Sequence, residues 1–247
     1  GGHDPEAYRA SAGYPTGDRT TFREIGCLVG SHSHLDEIFP SRLIRKAPVP
    51  SRLVRIAEPP ITYELEGVSL TLDDYVARTP TTGLLIAREN TILVERYQYG
   101  RTDRHRFAST SMAKTVTAML VGIPIAEGRI RSIDDLAATY VRELAGTEYG
   151  RTSLRHLLQM SSGVRYSEEY SGADDHARFT ADTYLGLGPG GAGAVKAFND
   201  RVAPAGTRFS YASTETQVLG LALRAATDQP VAEYLQSKIW LEIGTEA

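Results

Sequence analysis

Hydrophobic and polar positions divide the chain into stretches of different character. Residues 1–60 hold few periodic apolar positions and many Pro, Gly, Arg and Ser residues, so we expect an arm with little regular structure. Two β-rich runs, 83–87 and 91–97, flank a polar turn at 88–90, and this pattern predicts a β-hairpin. A two-stranded hairpin is marginally stable alone, so it needs partner strands.

A helical pattern follows the hairpin. From Met112 to Ile123, apolar residues recur at spacings of three and four, which is the period of one helix face. Gly128 is placed to end this helix, and Pro124 is expected to kink or shorten it. We therefore predict the most apolar helix of the chain in this stretch.

The remainder of the chain is predicted to be mostly helical. Short helices are expected at 132–141 and 154–160, and helical spacing of apolar residues returns at 218–226. Residues 170–193 contain six glycines and little apolar periodicity, so we expect a long, mobile loop there, either a lid over the site or a disordered insertion. No convincing strand pattern follows Ile125.

Composition and charge narrow the function classes. The 247 residues are 41% hydrophobic and 23% charged, the balance of a soluble globular protein with a real core. A net charge of −3 argues against a protein that binds nucleic acid through positive charge. No apolar run approaches the roughly 20 residues that a membrane span requires, so we expect no transmembrane helix. We expect a cytoplasmic location; a removed signal peptide stays open because the sequence starts without Met.

Metal and disulfide chemistry find little support in the sequence. Cys27 is the only cysteine, which excludes an internal disulfide and a cysteine-based zinc site. His32 and His34 form an H-x-H pair, but no third ligand of clear spacing accompanies them. We expect neither a metal ion nor another cofactor.

Ser111 and Lys114 are the first candidate catalytic pair. They lie three residues apart at the start of the apolar helix, and positions i and i+3 share a helix face. A serine hydroxyl needs a base before it can attack, and a helix N-terminus favours developing negative charge. About 0.3 such pairs would arise by chance in a chain of this composition. The position of the pair on an apolar helix strengthens the catalytic interpretation. An unpaired lysine facing the core would cost free energy of folding, so we expect it to have a function.

Tyr211 is the candidate third member of the site. It stands a hundred residues after Ser111, just before the later apolar helix. A tyrosine hydroxyl beside a lysine can move a proton between nucleophile and leaving group. The motifs of other enzyme classes are missing from the sequence. It contains no G-x-S-x-G elbow, no H-E-x-x-H and no P-loop, and no histidine has the surroundings of a catalytic triad.

Taken together, the motifs resemble those of the serine β-lactamase and penicillin-binding superfamily. The matching segments are 107–117 (FASTSMAKTVT), 126–130 (AEGRI) and 154–163 (LRHLLQMSSG). More narrowly, the sequence is similar to the class C-like serine hydrolases that include carboxylesterases and nylon-oligomer (aminohexanoate-dimer) amidases. The resemblance runs from about residue 20 to the C-terminus and covers most of the chain.

The resemblance implies a role for five residues. Ser111 is similar to the family's acylated nucleophile, Lys114 to its partner base, and Tyr211 to the tyrosine of the Y-x-N motif. Ser213 stands where many members have Asn, a departure that weakens a β-lactamase assignment. Tyr166 matches a tyrosine of the acyl pocket in the nylon-oligomer branch. Ser213 and Tyr166 are therefore expected to bind substrate.

The implied reaction is hydrolysis of a small-molecule ester or amide through an acyl-enzyme on Ser111. A β-lactamase, a D-amino-acid peptidase and an inactive homologue that acts by binding or association stay open as alternatives. Family members continue past the tyrosine motif into returning strands, one of which supplies an oxyanion N–H, and this chain has no counterpart after Tyr211. An unpaired sheet edge is therefore expected, with a homodimer or a separate C-terminal segment as its partner.

The expected fold class is α/β (α+β), with a β-lactamase-like antiparallel sheet, incomplete in this chain, and a helical domain. The expected organisation is an N-terminal arm at 1–60, a sheet portion at 61–105, a helical domain with the S-x-x-K and Y-x-S motifs at 106–230, and the start of a return to the sheet at 231–247.

Overall fold

A computed structural model describes residues 2–246, which form two compact units. The first unit contains residues 2–42, 46–108 and 243–246, and the second contains 43–45 and 109–242. The described residues of the first unit contain the strands β1 (Val54–Arg55), β2 (Thr62–Leu65), β3 (Val68–Thr71), β4 (Gly83–Arg88) and β5 (Thr91–Tyr97). Its helices are α1 (Leu28–Ser31), α2 (Leu35–Ile38) and α3 (Leu72–Arg78), with 3-10 turns at Pro5–Tyr8, Ala10–Ala12 and Ile25–Cys27.

The main sheet of the first unit has the strand order β1-β5-β4. β4 and β5 form the predicted antiparallel hairpin, with a register shift at Ile86 and Ala87. Ile92 and Val94 of β5 are buried, because alternate side chains of a strand face the core. β1 comes from the segment that the sequence predicts to be an arm, and it pairs with β5 in parallel. The arm thus supplies one partner strand of the hairpin.

A second hairpin, absent from the sequence prediction, pairs β2 with β3. The two residues between these strands, Glu66 and Gly67, both have positive φ, as the tight turns of two-residue hairpins require. β3 leads directly into α3 through a capping box, in which the side chains of Thr71 and Asp74 each accept a hydrogen bond from the other residue's backbone N–H. The hairpin and helix form one continuous local element.

The second unit is helical. Its helices are α4 (Met112–Ala126), α5 (Leu154–Leu158), α6 (Asp175–Thr183), α7 (Gly191–Lys196), α8 (Ser213–Thr227) and α9 (Val231–Leu235), with 3-10 turns at Ala137–Thr139 and Arg142–Leu144 and a π-turn at Gln236–Trp240. α4 is the helix predicted from the apolar spacing. Pro124 lies in its last turn, where the Pro124 carbonyl oxygen accepts the N–H groups of Arg129 and Ile130 at 2.8 and 3.0 Å.

The prediction of one long loop at 170–193 is wrong, because the structure places two helices there. Asp174 directly precedes α6 and caps it, because its side chain accepts the N–H of Ala177 at 2.9 Å. Phe179 of α6 and Val195, near the end of α7, are buried in the core. Each helix is too short for a clear period. Three of the six glycines lie between the helices, Gly191 and Gly193 belong to α7, and Gly172 precedes α6.

α4 and α8 both contribute buried residues to the core of the second unit. Val121 of α4 belongs to one buried cluster with Val218 and Leu219 of α8. Leu120 of α4 and Leu223 of α8 belong to a neighbouring cluster around Tyr234 and are almost fully buried. Leu120 and Val121 of α4 are thus the buried residues that it shares with the α8 clusters. Among the helices described here, none combines the length and the apolar character needed to cross a bilayer.

Candidate active site

Ser111 is the residue that directly precedes α4, and its side chain is exposed. The first-turn N–H groups of Met112 and Ala113 donate to the carbonyl oxygens of Ser109 and Thr110 at 3.0 and 3.2 Å. Thr110 has a φ of +41°, in the left-handed region that β-branched residues rarely adopt. A strained residue thus sets the direction in which the chain enters Ser111 and the helix.

Lys114 lies one turn into α4, on the same face as Ser111. Its Nζ donates a hydrogen bond to Ser111 Oγ at 3.0 Å, as the i,i+3 spacing predicts. The Lys114 side chain is half-buried. Within residues 2–246, no carboxylate forms an ion pair with it. The lysine nitrogen is therefore directed at the serine hydroxyl and is not held by an acidic group.

Tyr211 joins the pair from the segment before α8. Lys114 Nζ lies 5.1 Å from the centroid of the Tyr211 ring, a cation–π contact. The backbone on both sides of Tyr211 is fixed: Ser210 N–H donates to the Met160 carbonyl oxygen at 2.7 Å, and Ala212 is buried. The structure therefore brings a nucleophilic, a basic and a phenolic side chain together in one unit.

Ser213, the first residue of α8, is bound by Glu168. The two oxygens of this carboxylate accept the Ser213 N–H at 2.7 Å and the Ser213 Oγ–H at 2.8 Å. The Glu168 side chain is 2% exposed, and it also accepts the Tyr170 hydroxyl at 3.0 Å. Sequence reasoning missed Glu168, since two adjacent glutamates in a glycine-flanked stretch are typical of a solvated loop.

Tyr166 is placed in the core of the helical unit. Its ring packs edge-on against Phe179 and Phe198, with centroids 6.4 and 5.1 Å away. The hydroxyl oxygen is buried and has no hydrogen-bond partner among the described residues. Burial, followed by the negative charge of Glu168, raises the pKa of Tyr166 far above its ordinary value. The ring contacts of Tyr166 are thus made with two aromatic residues of the core, Phe179 and Phe198.

Glu215 is a second buried carboxylate, in the first turn of α8. Its Oε1 accepts Ser162 Oγ–H at 2.7 Å and Ser162 N–H at 3.3 Å, while Oε2 has no partner among the described residues. Burial raises the pKa of Glu215 to about 7, although the Ser162 bonds and the charge of Arg201 oppose the rise. The charged form of this group is therefore poorly solvated.

The structure contains no group of three or more His, Cys, Asp and Glu side chains arranged to hold a metal ion, as far as residues 2–246 are concerned. The side chains that meet at Ser111 are a hydroxyl, an amine and a phenol. Such a set is suited to nucleophilic attack on a carbonyl carbon with proton transfer to the leaving group.

Comparisons with known proteins place these residues in a wider context. The profile named Beta-lactamase matches residues 68–246, which include Ser111, Lys114 and Tyr211. The chain is 27% identical over 266 residues to the 6-aminohexanoate-dimer hydrolase of Paenarthrobacter ureafaciens, covering 99% of this chain and 62% of that protein.

A solved structure from Bacillus anthracis, described provisionally as a 6-aminohexanoate-dimer hydrolase, superposes with a TM-score of 0.80. The sequences are 22% identical, and the alignment covers 89% of this chain and 60% of the other. At that identity the comparison shows a shared fold. The chain spans 62% of the length of the curated relative and 60% of the solved one.

Proposed function

Because this chain belongs to the beta-lactamase family, we propose that the protein is a serine hydrolase that cleaves an ester or amide bond through an acyl-enzyme on Ser111. The observation that supports this most directly is the 3.0 Å separation of Lys114 Nζ and Ser111 Oγ, with the Tyr211 ring against the same lysine nitrogen. Nucleophile and base are within hydrogen-bond reach, as this chemistry requires.

The proposed reaction has two halves. In the first, Ser111 Oγ attacks the carbonyl carbon while its proton passes to Lys114 Nζ. Lys114 and Tyr211 then deliver a proton to the leaving nitrogen or oxygen, and the bond between that atom and the carbonyl carbon breaks. In the second half, water attacks the acyl carbon and gives one proton to Lys114 and Tyr211, the bond between Ser111 Oγ and the acyl carbon breaks, and that proton passes to Ser111 Oγ as the acid is released. The complete cycle thus returns the three groups to their starting protonation.

The proposed substrate class is a small linear amide or ester. The name of the Paenarthrobacter relative favours an amide, and Ser213, in the position of the family's Asn, favours the esterase and amidase branch over a β-lactamase. We include Ser213 and Tyr166 as substrate-binding residues, with Tyr166 in the acyl pocket. The buried hydroxyl of Tyr166 retains an unused donor that a substrate oxygen would satisfy.

A fluorophosphonate probe that acylates reactive serines tests the proposal. We expect labelling of the folded protein, located at Ser111 by peptide mass spectrometry, and none of the Ser111→Ala variant. Ser109→Ala is the matched control, because Ser109 is an exposed serine two residues away and should not affect labelling. A folded protein that stays unlabelled would contradict the enzyme assignment and favour the homologue that acts by binding or association.

A further inference from the structure

The first turn of α8, which follows Tyr211, is tied down at three successive residues. Each of these residues has a side-chain partner outside the helix, and the pairs are Ser213 with Glu168, Thr214 with Tyr149 at 2.6 Å, and Glu215 with Ser162. The bonds of Thr214 and Glu215 are fully buried. Only Ser213, which is nearest to Tyr211, is half-exposed. Its partner is therefore the anchor closest to the candidate site.

Glu168 is well suited to hold that position. A carboxylate can only accept hydrogen bonds, and its two oxygens take both donors of Ser213, the backbone N–H and the side-chain hydroxyl. A charged group that is 2% exposed is costly to bury unless such donors satisfy it. Tyr170 O–H is a further donor, and His176 Nδ1 lies 3.5 Å away. Glu168 is therefore surrounded by Ser213, Tyr170 and His176.

We propose that Glu168 is a positioning residue for Tyr211. This inference rests on the proposed function, in which Tyr211 takes part in proton delivery to the leaving group. Ser210 on one side of Tyr211 is held by the Met160 carbonyl oxygen, and Ser213 on the other side is held by Glu168. Loss of the Glu168 carboxylate frees one side of this segment, so that Tyr211 no longer stays against Lys114.

The leaving group of the substrate distinguishes this role from a merely structural one. An amine leaves only after it has been protonated, whereas p-nitrophenolate leaves without a proton. Proton transfer by a positioned side chain contributes about 10² to 10⁴-fold to a rate. A misplaced Tyr211 should therefore slow amide cleavage far more than cleavage of the activated ester, while partial unfolding would slow both equally.

The experiment compares Glu168→Gln, Glu168→Ala and Tyr211→Phe in the protein expressed from its complete coding sequence. The substrates are an N-alkyl amide and a p-nitrophenyl ester of the same acyl group, with kcat and KM measured for each. We expect Glu168→Ala to lower kcat for the amide about 10²-fold and for the ester only a few-fold, the pattern of Tyr211→Phe. Glu168→Gln keeps one acceptor oxygen for Ser213 and should be intermediate.

Tyr140→Phe is the matched control, because it removes a hydrogen bond of 2.6 Å to the carboxylate of Asp135 elsewhere in the same unit. It should leave the ratio of the amide and ester rates unchanged. Equal losses for both substrates in the Glu168 variants, a change in KM alone, or unchanged rates would overturn the inference. If Glu168→Ala does not fold, Glu168→Gln carries the same comparison. Absence of Ser111 labelling in the wild-type protein would instead refute the proposed function.

Discussion

Glu215 gives the second unit a pH-dependent stability that one substitution should remove. The group is 1% exposed, and its pKa is raised from 4.5 to about 7. Because the folded-state pKa lies above the unfolded one, the folded protein binds this proton more tightly than the unfolded chain does. The free energy of unfolding is therefore expected to fall as pH rises from 4.5 through about 7, and to level off above.

The size of the effect follows from the shift. At 1.36 kcal/mol per pKa unit, the rise from 4.5 to about 7 corresponds to a loss of about 3 kcal/mol across this pH window. Glu215→Gln has nearly the same shape, does not titrate and keeps an acceptor for Ser162. At low pH, the free energy of unfolding of the variant should lie within about 1 kcal/mol of the wild-type value. Above pH 7, it should be larger than the wild-type value.

Urea unfolding followed by fluorescence measures this difference. Trp240, the only tryptophan, lies in the same unit as Glu215 and reports on its unfolding. Glu143→Gln is the control, since Glu143 is an exposed glutamate of that unit and should leave the pH dependence unchanged. If the curves of wild type and Glu215→Gln stay parallel from pH 4.5 to 8, then Glu215 does not titrate in this range and the reasoning from burial is wrong.

Three further substitutions test local features of the structure. Thr110→Gly should raise the free energy of unfolding by about 1 kcal/mol, because glycine tolerates the φ of +41°; a decrease in denaturation experiments would contradict the strain. Tyr166→Phe should raise KM for the substrate without loss of stability, since the hydroxyl has no described protein partner; unchanged KM would remove Tyr166 from the proposed acyl pocket. Gly163→Ala should destabilise by about 2 kcal/mol or more, because φ is +75° and the new Cβ would lie 2.0 Å from the Ala203 carbonyl oxygen. Gly122→Ala, in open space on α4, is the control and should stabilise by about 1 kcal/mol.

The sequence predicts those elements whose stability comes from their own periodicity. α4 has a long apolar face, and the β4–β5 hairpin has two β-rich runs around a polar turn, so both are visible without tertiary information. α6 and α7 are different, because each contributes only one or two side chains to the core, and α7 itself contains two glycines. Their packing against the rest of the unit decides their conformation.

The residues of the site likewise divide into those that local spacing predicts and those that only tertiary packing brings together. Ser111 and Lys114 share a helix face, so the spacing alone predicts their contact. Tyr211 is brought in by long-range packing, so its spacing from Ser111 does not predict the contact. Its place before the later apolar helix makes it a candidate, and the family resemblance supports it. Glu168 stands 45 residues before the serine that it binds, and neither its spacing nor its neighbours in the sequence indicate this contact. Partners of this kind depend on how the chain folds back on itself.

The packing of α4 against α8 has a consequence for how reactivity can evolve. Ser111 and Lys114 belong to the start of one helix and Tyr211 precedes the other, so the apolar contacts between the helices, including those of Leu120 and Leu223, contribute to the placement of Lys114 relative to Tyr211. A methyl group added or removed there shifts a helix without touching any reactive group. Close-packed interiors transmit such changes. Substitutions in the core can therefore change the geometry of the site, and with it the preferred substrate, while Ser111, Lys114 and Tyr211 stay unchanged.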